Sequence, residues 1–279
     1  MTIPVEFYRQ IKDRIVFTAR TQSVARRLIN ARLVGGGIAV QQWTYDQANE
    51  VSDALLTYAF TDTAEDQIEL SRTDVPIPVL HKEFRIGRRD LAAAQRGGFA
   101  LNAATASSAA YKVMNLENSM VLNGYAADGS NYDIKGLYQS AANTKTGADF
   151  GTAGNALKSV AGAIELMMAD EITGPYNLTL NPTQYMELAI SESAGGNPEL
   201  PAVLKLLEGG EIITTSWQAA GTGMLTADKN SGFFELVVPQ DMTFETEILQ
   251  KSKDLWGRVY ECVIPVIYDP NAICKITGI

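Results

Sequence analysis

Residues 38–86 read IAVQQWTYDQANEVSDALLTYAFTDTAEDQIELSRTDVPIPVLHKEFRI, and the reading of this stretch decides the fold. Its two ends, IAVQQWTY (38–45) and PIPVLHKEFRI (76–86), are rich in β-branched and aromatic residues and read as strands. In the second, Leu80, Phe84 and Ile86 share one side, while Pro76 and Pro78 suit an edge strand. The connection between them is polar and strongly acidic. From 46 to 75 there are eight acids (Asp46, Glu50, Asp53, Asp62, Glu65, Asp66, Glu69, Asp74) against one base, Arg72. So long a connection is uncommon in a compact domain. It also carries an apolar knob, Leu55, Leu56, Tyr58 and Phe60, which would invite aggregation unless a partner covered it. The stretch predicts a protruding hairpin loop that meets another molecule.

On the N-terminal side, residues 3–30 read as helix or extended arm, ending at Gly35-Gly36-Gly37, where the chain can turn sharply. Seven basic residues from 8 to 32 (Arg9, Lys12, Arg14, Arg20, Arg26, Arg27, Arg32) face one acid, Asp13. A basic arm therefore precedes an acidic loop, and one copy's loop can meet another copy's arm or helix. On the C-terminal side a long helix is expected from 90 to 124. Asp90 caps it, Gly97-Gly98 interrupts it, and Val113, Leu116, Met120 and Val121 recur at helical spacing.

From 151 onward the pattern is a compact α+β unit. Leu157, Val160, Ala161, Ile164, Met167 and Met168 mark a core-facing helix, and YNLTL (176–180) a strand. Asn181-Pro182 and Asn197-Pro198 each read as a cap followed by a helix start. Residues 211–215, 233–238, 243–249, 258–267 and 273–276 complete the strands.

The chemistry-bearing residues are few. The 279 residues include one histidine and two cysteines, 46% are apolar, and the net charge is −9. His81 alone cannot supply a two-histidine metal site, and it reads as a satisfied or solvated side chain. Cys262 and Cys274 read as core residues of strands. Asp128, Ser130 and Asp133 resemble a calcium-loop fragment without its closing glutamate, so the segment reads as a turn. The glycine runs lack the lysine or strand-to-helix context of a phosphate loop. No catalytic, cofactor or metal residues are assigned. No apolar run reaches the length of a membrane span. An arm, a long β-excursion, a long helix and a compact body instead describe a subunit that reaches over its neighbours. Ordering such extensions costs entropy that burial on another copy offsets.

Several stretches, taken in order, resemble encapsulins and the related major capsid proteins of tailed phages with the Hong Kong 97-type fold. They are IPVLHKEFRIGRRDLAAAQRGG (77–98), NLENSMVLNGYAADGSNYDIKGLY (115–138), DEITGPYNLTLNPTQY (170–185), GGEIITT (209–215), VVPQDM (237–242) and YECVIPVIYDPNAICKI (260–276). The resemblance implies an α+β fold in four parts. These are an N-terminal arm (1–36), an extended β-hairpin loop (37–88), a peripheral domain with a long spine helix (89–150 and 232–279), and an axial domain (151–231). It implies a homo-oligomeric icosahedral shell of pentamers, with or without hexamers, and no membrane partner.

The first forty residues lack a recognisable encapsulin cargo-pocket helix, and TARTQSVARRLINARLV (18–34) resembles a viral arm. The expected function is therefore a major capsid protein enclosing double-stranded DNA, in a virion assembled in a host cytoplasm. Portal, scaffold or decoration proteins would be its further partners. The alternative is an encapsulin compartment around a cargo enzyme. Arg20, Arg26, Arg27 and Arg32 are expected to face the DNA without sequence preference. Leu55, Leu56, Tyr58 and Phe60, with Arg85, Arg88, Arg89 and Arg96, are expected to make inter-subunit contacts. No lysine lies between 46 and 75, so a lysine–asparagine cross-link at the loop tip has no donor.

Overall fold

The computed structural model describes residues 23–48, 68–89, 92, 101–126, 133–193, 195–249 and 254–279. In chain order its elements are α1 (Ala25–Leu28), β1 (Asn30–Leu33), β2 (Gln42–Ala48), β3 (Leu70–Pro76), β4 (Val79–Ile86) and α2 (Leu101–Asn123). Then come β5 (Tyr125–Ala126), β6 (Asp133–Ile134), α3 (Leu137–Ser140), β7 (Asn143–Thr146), α4 (Asn155–Ala169), β8 (Tyr176–Leu180) and α5 (Pro182–Ile190). The last are α6 (Glu199–Leu206), β9 (Ile212–Thr214), β10 (Thr222–Ala227), β11 (Phe234–Ile248), β12 (Leu255–Ile267) and β13 (Ile273–Thr277).

The first sheet runs β1-β11-β12-β4. β4 lies at its edge, antiparallel to β12, with Leu80, Phe84 and Ile86 turned into the core as their spacing predicts. Pro76 does not begin this strand. It closes β3, and two residues separate it from Val79. The expected pair of strands at 233–238 and 243–249 is one long strand, β11, with register shifts between Val237 and Gln240 and between Gln240 and Thr243. Pro239 sits there, and a residue without an N–H is accommodated in a central strand only at such a bulge. Farther along, Phe244 is buried and Glu245 and Glu247 are exposed, so one side is wet. Arg258 bridges Glu83 and Glu245 across three strands on that side, at 3.4 Å each.

α2 covers this sheet. Its inward stripe is Ala106, Ala109, Ala110, Val113, Met114, Glu117, Asn118, Met120 and Val121, the spacing of one helical face. Leu116, expected inside, is 37% exposed. Glu117 and Asn118 take the inward positions because charged and amide partners wait there. Gly124, at φ +77°, ends the helix in the left-handed conformation that glycine adopts freely.

The second sheet runs β7-β13-β10-β8-β9, with β10 antiparallel to both its neighbours. All five residues of β8 are buried, as are five of the six in β10. α4 lies on this sheet through Ala156, Val160, Ala163, Ile164 and Met167, while Ala161 and Met168 face outward. Asn181 caps α5 as expected, its side chain accepting from Thr183 N–H at 3.0 Å. Asn197 does not cap α6; Pro198 holds that position with no side-chain cap. Glu199 instead turns inward, 1% exposed, and accepts from the N–H groups of Gly154 and Leu157 at the start of α4. Strands β1, β3, β5, β6, β7 and β10 escape the sequence reading, and the hairpin partner of β2 is β3 rather than the stretch expected at 76–86. β13, read as returning with β11 and β12, lies in the second sheet between β7 and β10. Its apolar residues Ile273, Cys274 and Ile276 are fully buried there, and its ladder to β10 runs from Thr222↔Thr277 to Thr226↔Ile273.

Candidate functional site

The expected contact surfaces begin at the hairpin. β2 and β3 pair antiparallel from Gln42↔Pro76 to Ala48↔Leu70. Gly35, Gly36 and Gly37 all have positive φ, and a short 3-10 turn at Gly37–Ala39 delays the strand to Gln42. Alternation sorts the hairpin base into two sides. Trp43, Tyr45 and Val75 pack against the core of their own chain. The Tyr45 ring meets Tyr268 edge to face at 5.1 Å, and Gln47 Nε2 donates to the Tyr268 carbonyl at 3.2 Å. Arg32 lies over the Trp43 ring at 5.1 Å and pairs with Glu235 at 3.2 Å. Glu235 also accepts from the Tyr268 hydroxyl. The opposite side is polar, with Thr44 donating to Asp74 at 2.6 Å and Arg72 Nε to Asp46 at 2.8 Å. That pairing holds the Asp46 carboxyl below its usual range. The base of the hairpin is thus docked on its own subunit. Leu55, Leu56, Tyr58 and Phe60 lie outside the described residues, as do Arg20 and Arg96.

Of the four expected contact arginines, Arg85, Arg88 and Arg89 are among the described residues. Arg85 Nε donates to Asp254 Oδ2 at 2.9 Å, and the same carboxylate accepts from the backbone N–H of Arg88 at 2.8 Å. The side chains of Arg88 and Arg89 are exposed.

The arginines expected to face DNA differ among themselves. Arg27 pairs with Glu211 at 2.7 Å in the open. Arg32 serves the hairpin base. Arg26, expected to face DNA, closes a cluster of three carboxylates within the chain. Its Nε meets Glu117 Oε1 at 2.9 Å, its Nη1 Asp241 Oδ1 at 2.8 Å, and its Nη2 Glu261 Oε2 at 3.3 Å. The sequence shows an arginine in a basic run. Its partners lie far off in the chain, and for Glu117 and Glu261 the sequence signal is a glutamate standing in an otherwise apolar stripe or strand.

Acid–base and nucleophilic chemistry find no constellation among the described residues. No group of three or more His, Cys, Asp or Glu there could hold a metal ion. His81 is exposed on β4, opposite Tyr260. Burial pushes both thiols up, that of Cys274 to about 11, so they stay protonated and unreactive at neutral pH. No helix among the described residues is long and apolar enough to cross a membrane.

Comparison with known proteins places this architecture. The model of the family described as "Encapsulating protein for peroxidase" (Linocin_M18) matches residues 2–254. The type 1 encapsulin shell protein EncA of Myxococcus xanthus is 24% identical over 279 residues, spanning 98% of this chain and 93% of its own. Among solved structures, the virus-like particle from Pyrococcus furiosus superposes with a TM-score of 0.71 at 19% identity, covering 98% of this chain and 100% of that one. The capsid of the Myoviridae phage XM1 gives 0.71 at 14% identity, covering 89% and 90%. At such identities the structural likeness speaks for the fold alone, which is the Hong Kong 97-type capsid fold.

Proposed function

The chain belongs to the family of encapsulating proteins described for peroxidase, and from that premise we propose that it is the structural subunit of an encapsulin-type compartment. Many copies form a closed icosahedral shell around a cargo enzyme, inside the cell. The observation that carries this reading is the family match over residues 2–254, on a chain whose fold is that of a capsid subunit. It favours the second of the two sequence expectations over the first. Phage capsids share the fold at 14% identity, whereas the family and its curated relative are named for encapsulation. The ion cluster at Arg26 weakens the viral reading further, since one of the arm arginines meant for DNA is consumed within the subunit.

The parts take their roles from this reading. The first sheet with α2 is the peripheral domain, and the second sheet with α4, α5 and α6 the axial domain around the symmetry axes. In this assignment β7 and β13, outside 151–231, belong with the axial sheet. Residues 1–36 form the arm and 37–88 the extended loop. Leu55, Leu56, Tyr58 and Phe60 would lie over a neighbour near its exposed Arg88 and Arg89 and near Arg96, with Arg85 held in place by its own Asp254. Arg27 and Arg32 reach a polyanion only by leaving Glu211 and Glu235.

Electron microscopy of the full-length chain expressed in a bacterium, with an absorbance spectrum of the particles, tests the function. Uniform closed shells without a nucleic-acid spectrum, carrying a co-purifying enzyme when its gene is present, are expected. DNA-filled particles, or a chain that stays monomeric at high concentration, would overturn the reading.

A further inference from the structure

The Arg26 cluster holds more acid than its one guanidinium neutralises. Glu117 on α2 is 1% exposed and Glu261 on β12 is 0% exposed, while Asp241 on β11 is 58% exposed. Glu117 grips the guanidinium with both oxygens, at 2.9 and 3.2 Å. Glu261 reaches it with Oε2 alone, and its Oε1 is buried without a hydrogen-bond partner. A fully ionised cluster would carry one positive and three negative charges, two of the latter shut away from water. Isolated buried charge is costly, and a carboxyl in that position takes up a proton instead.

The cluster also has a mechanical setting. Arg26 lies in α1, whose opening N–H groups are satisfied from outside the helix. Asn118 Oδ1 on α2 accepts from Val24 N–H at 3.0 Å and Ala25 N–H at 2.9 Å, and Ser23 Oγ accepts from Arg26 N–H at 3.2 Å. β1 follows directly and runs parallel along β11 from Asn30↔Glu235 to Leu33↔Val238. Residues 23–33 are thus a strap laid over α2, β12 and β11, and Arg26 is its charged rivet.

We propose that Arg26, Glu117 and Glu261 form a proton-controlled latch, in which one proton on the Glu261 carboxyl keeps residues 23–33 seated and its loss loosens them. The groups facing Glu261 are Arg26 from α1, Glu117 from α2 and Asp241 from β11. β4 places the uncharged Leu80 opposite it, and the thiol of neighbouring Cys262 stays neutral. Burial first, and then the Glu117 charge, raise the Glu261 carboxyl well above its ordinary value, with Arg26 opposing. Burial alone would lower the Arg26 guanidinium, but Glu117 and Asp241 more than offset it, so the cation persists at every relevant pH.

The sign follows from linkage. The seated strap binds a proton that the loosened strap, with Glu261 in water, does not hold above the ordinary carboxyl range. The contribution is fully present below that range and is lost as pH rises through the shifted value. Between the two, the opening equilibrium rises by up to about tenfold per pH unit, then levels off.

Hydrogen exchange of the assembled full-length protein between pH 6 and 9, expressed as protection factors, reads this directly. In the wild type, protection of residues 24–33 should fall with pH while that of β8 and β10 stays constant. In Glu261→Gln, an uncharged isostere, the dependence should vanish. A pH-independent strap in the wild type, or an unchanged slope in the variant, would overturn the proposal. If the variant fails to fold, infrared spectroscopy of the wild type decides. A protonated buried carboxyl present at neutral pH and lost as the strap loosens supports the latch, and its absence at neutral pH overturns it.

Discussion

The two sheets of this protein are stabilised in different ways. In the second, β8 and β10 are buried along nearly their whole length, and α4 presses its apolar face onto the sheet, mainly over β7 and β13. Contacts there reach the backbone itself: a Cβ on Gly210 would stand 1.7 Å from the Tyr176 carbonyl oxygen. Tyr176 is fully buried, its hydroxyl donating to the Ile172 carbonyl at 2.8 Å. The first sheet has an apolar core too, but its attached segments are held by polar ties. The strap is riveted by Arg26, and the hairpin base is pinned by Arg32, Tyr45 and Gln47. Close packing makes one unit rigid and indifferent to solvent conditions. Charged ties make the other adjustable by pH and salt.

The contrast can be broken at three points. Gly210→Ala should have the largest effect. No rotamer relieves a clash with a backbone carbonyl, so a loss on the order of 4 kcal/mol or more is expected, read as insoluble protein or a collapsed melting temperature. A tolerated alanine there would show that the second sheet is not close-packed.

Arg26→Ala should rank next, at about 3 kcal/mol, because it leaves two buried carboxyls without their cation. Thermal unfolding should show this loss larger at pH 8 than at pH 5, where a proton can neutralise the Glu261 carboxyl, raised by its burial. Equal losses at the two pH values would remove the electrostatic account of the strap.

Arg32→Ala should be mildest. Its side chain is 57% exposed, and an exposed ion pair with a cation–π contact contributes about 0.5–1 kcal/mol. The expected result is a small drop in melting temperature that shrinks in high salt, with faster proteolysis within 37–88. An effect as large as that of Arg26→Ala would mean that the two ties are equivalent.

Much of the fold was legible from local rules. The alternation of Leu80, Phe84 and Ile86 correctly gave a strand with one buried side, and Asn181-Pro182 correctly marked a helix start. The second such device failed at Asn197 because Glu199 serves α4 instead. Leu116, expected inside, gives way to its neighbour Glu117, which has a partner across the fold. Leu55, Leu56, Tyr58 and Phe60 stand out in the sequence as an apolar anomaly in an acidic stretch, and they lie outside the described residues.

Periodicity, proline, glycine and capping residues act over a few positions, so the amino-acid order alone specified most helices and strands and the long excursion between 38 and 86. Partners separated by long stretches of chain obey no such rule. Arg26 meets Glu117 across 91 positions and Glu261 across 235, and β13 joins β10 rather than its sequence neighbour β12. Those choices belong to tertiary structure, because the energy of a buried charge depends on which groups surround it in space, and only the folded chain brings them together.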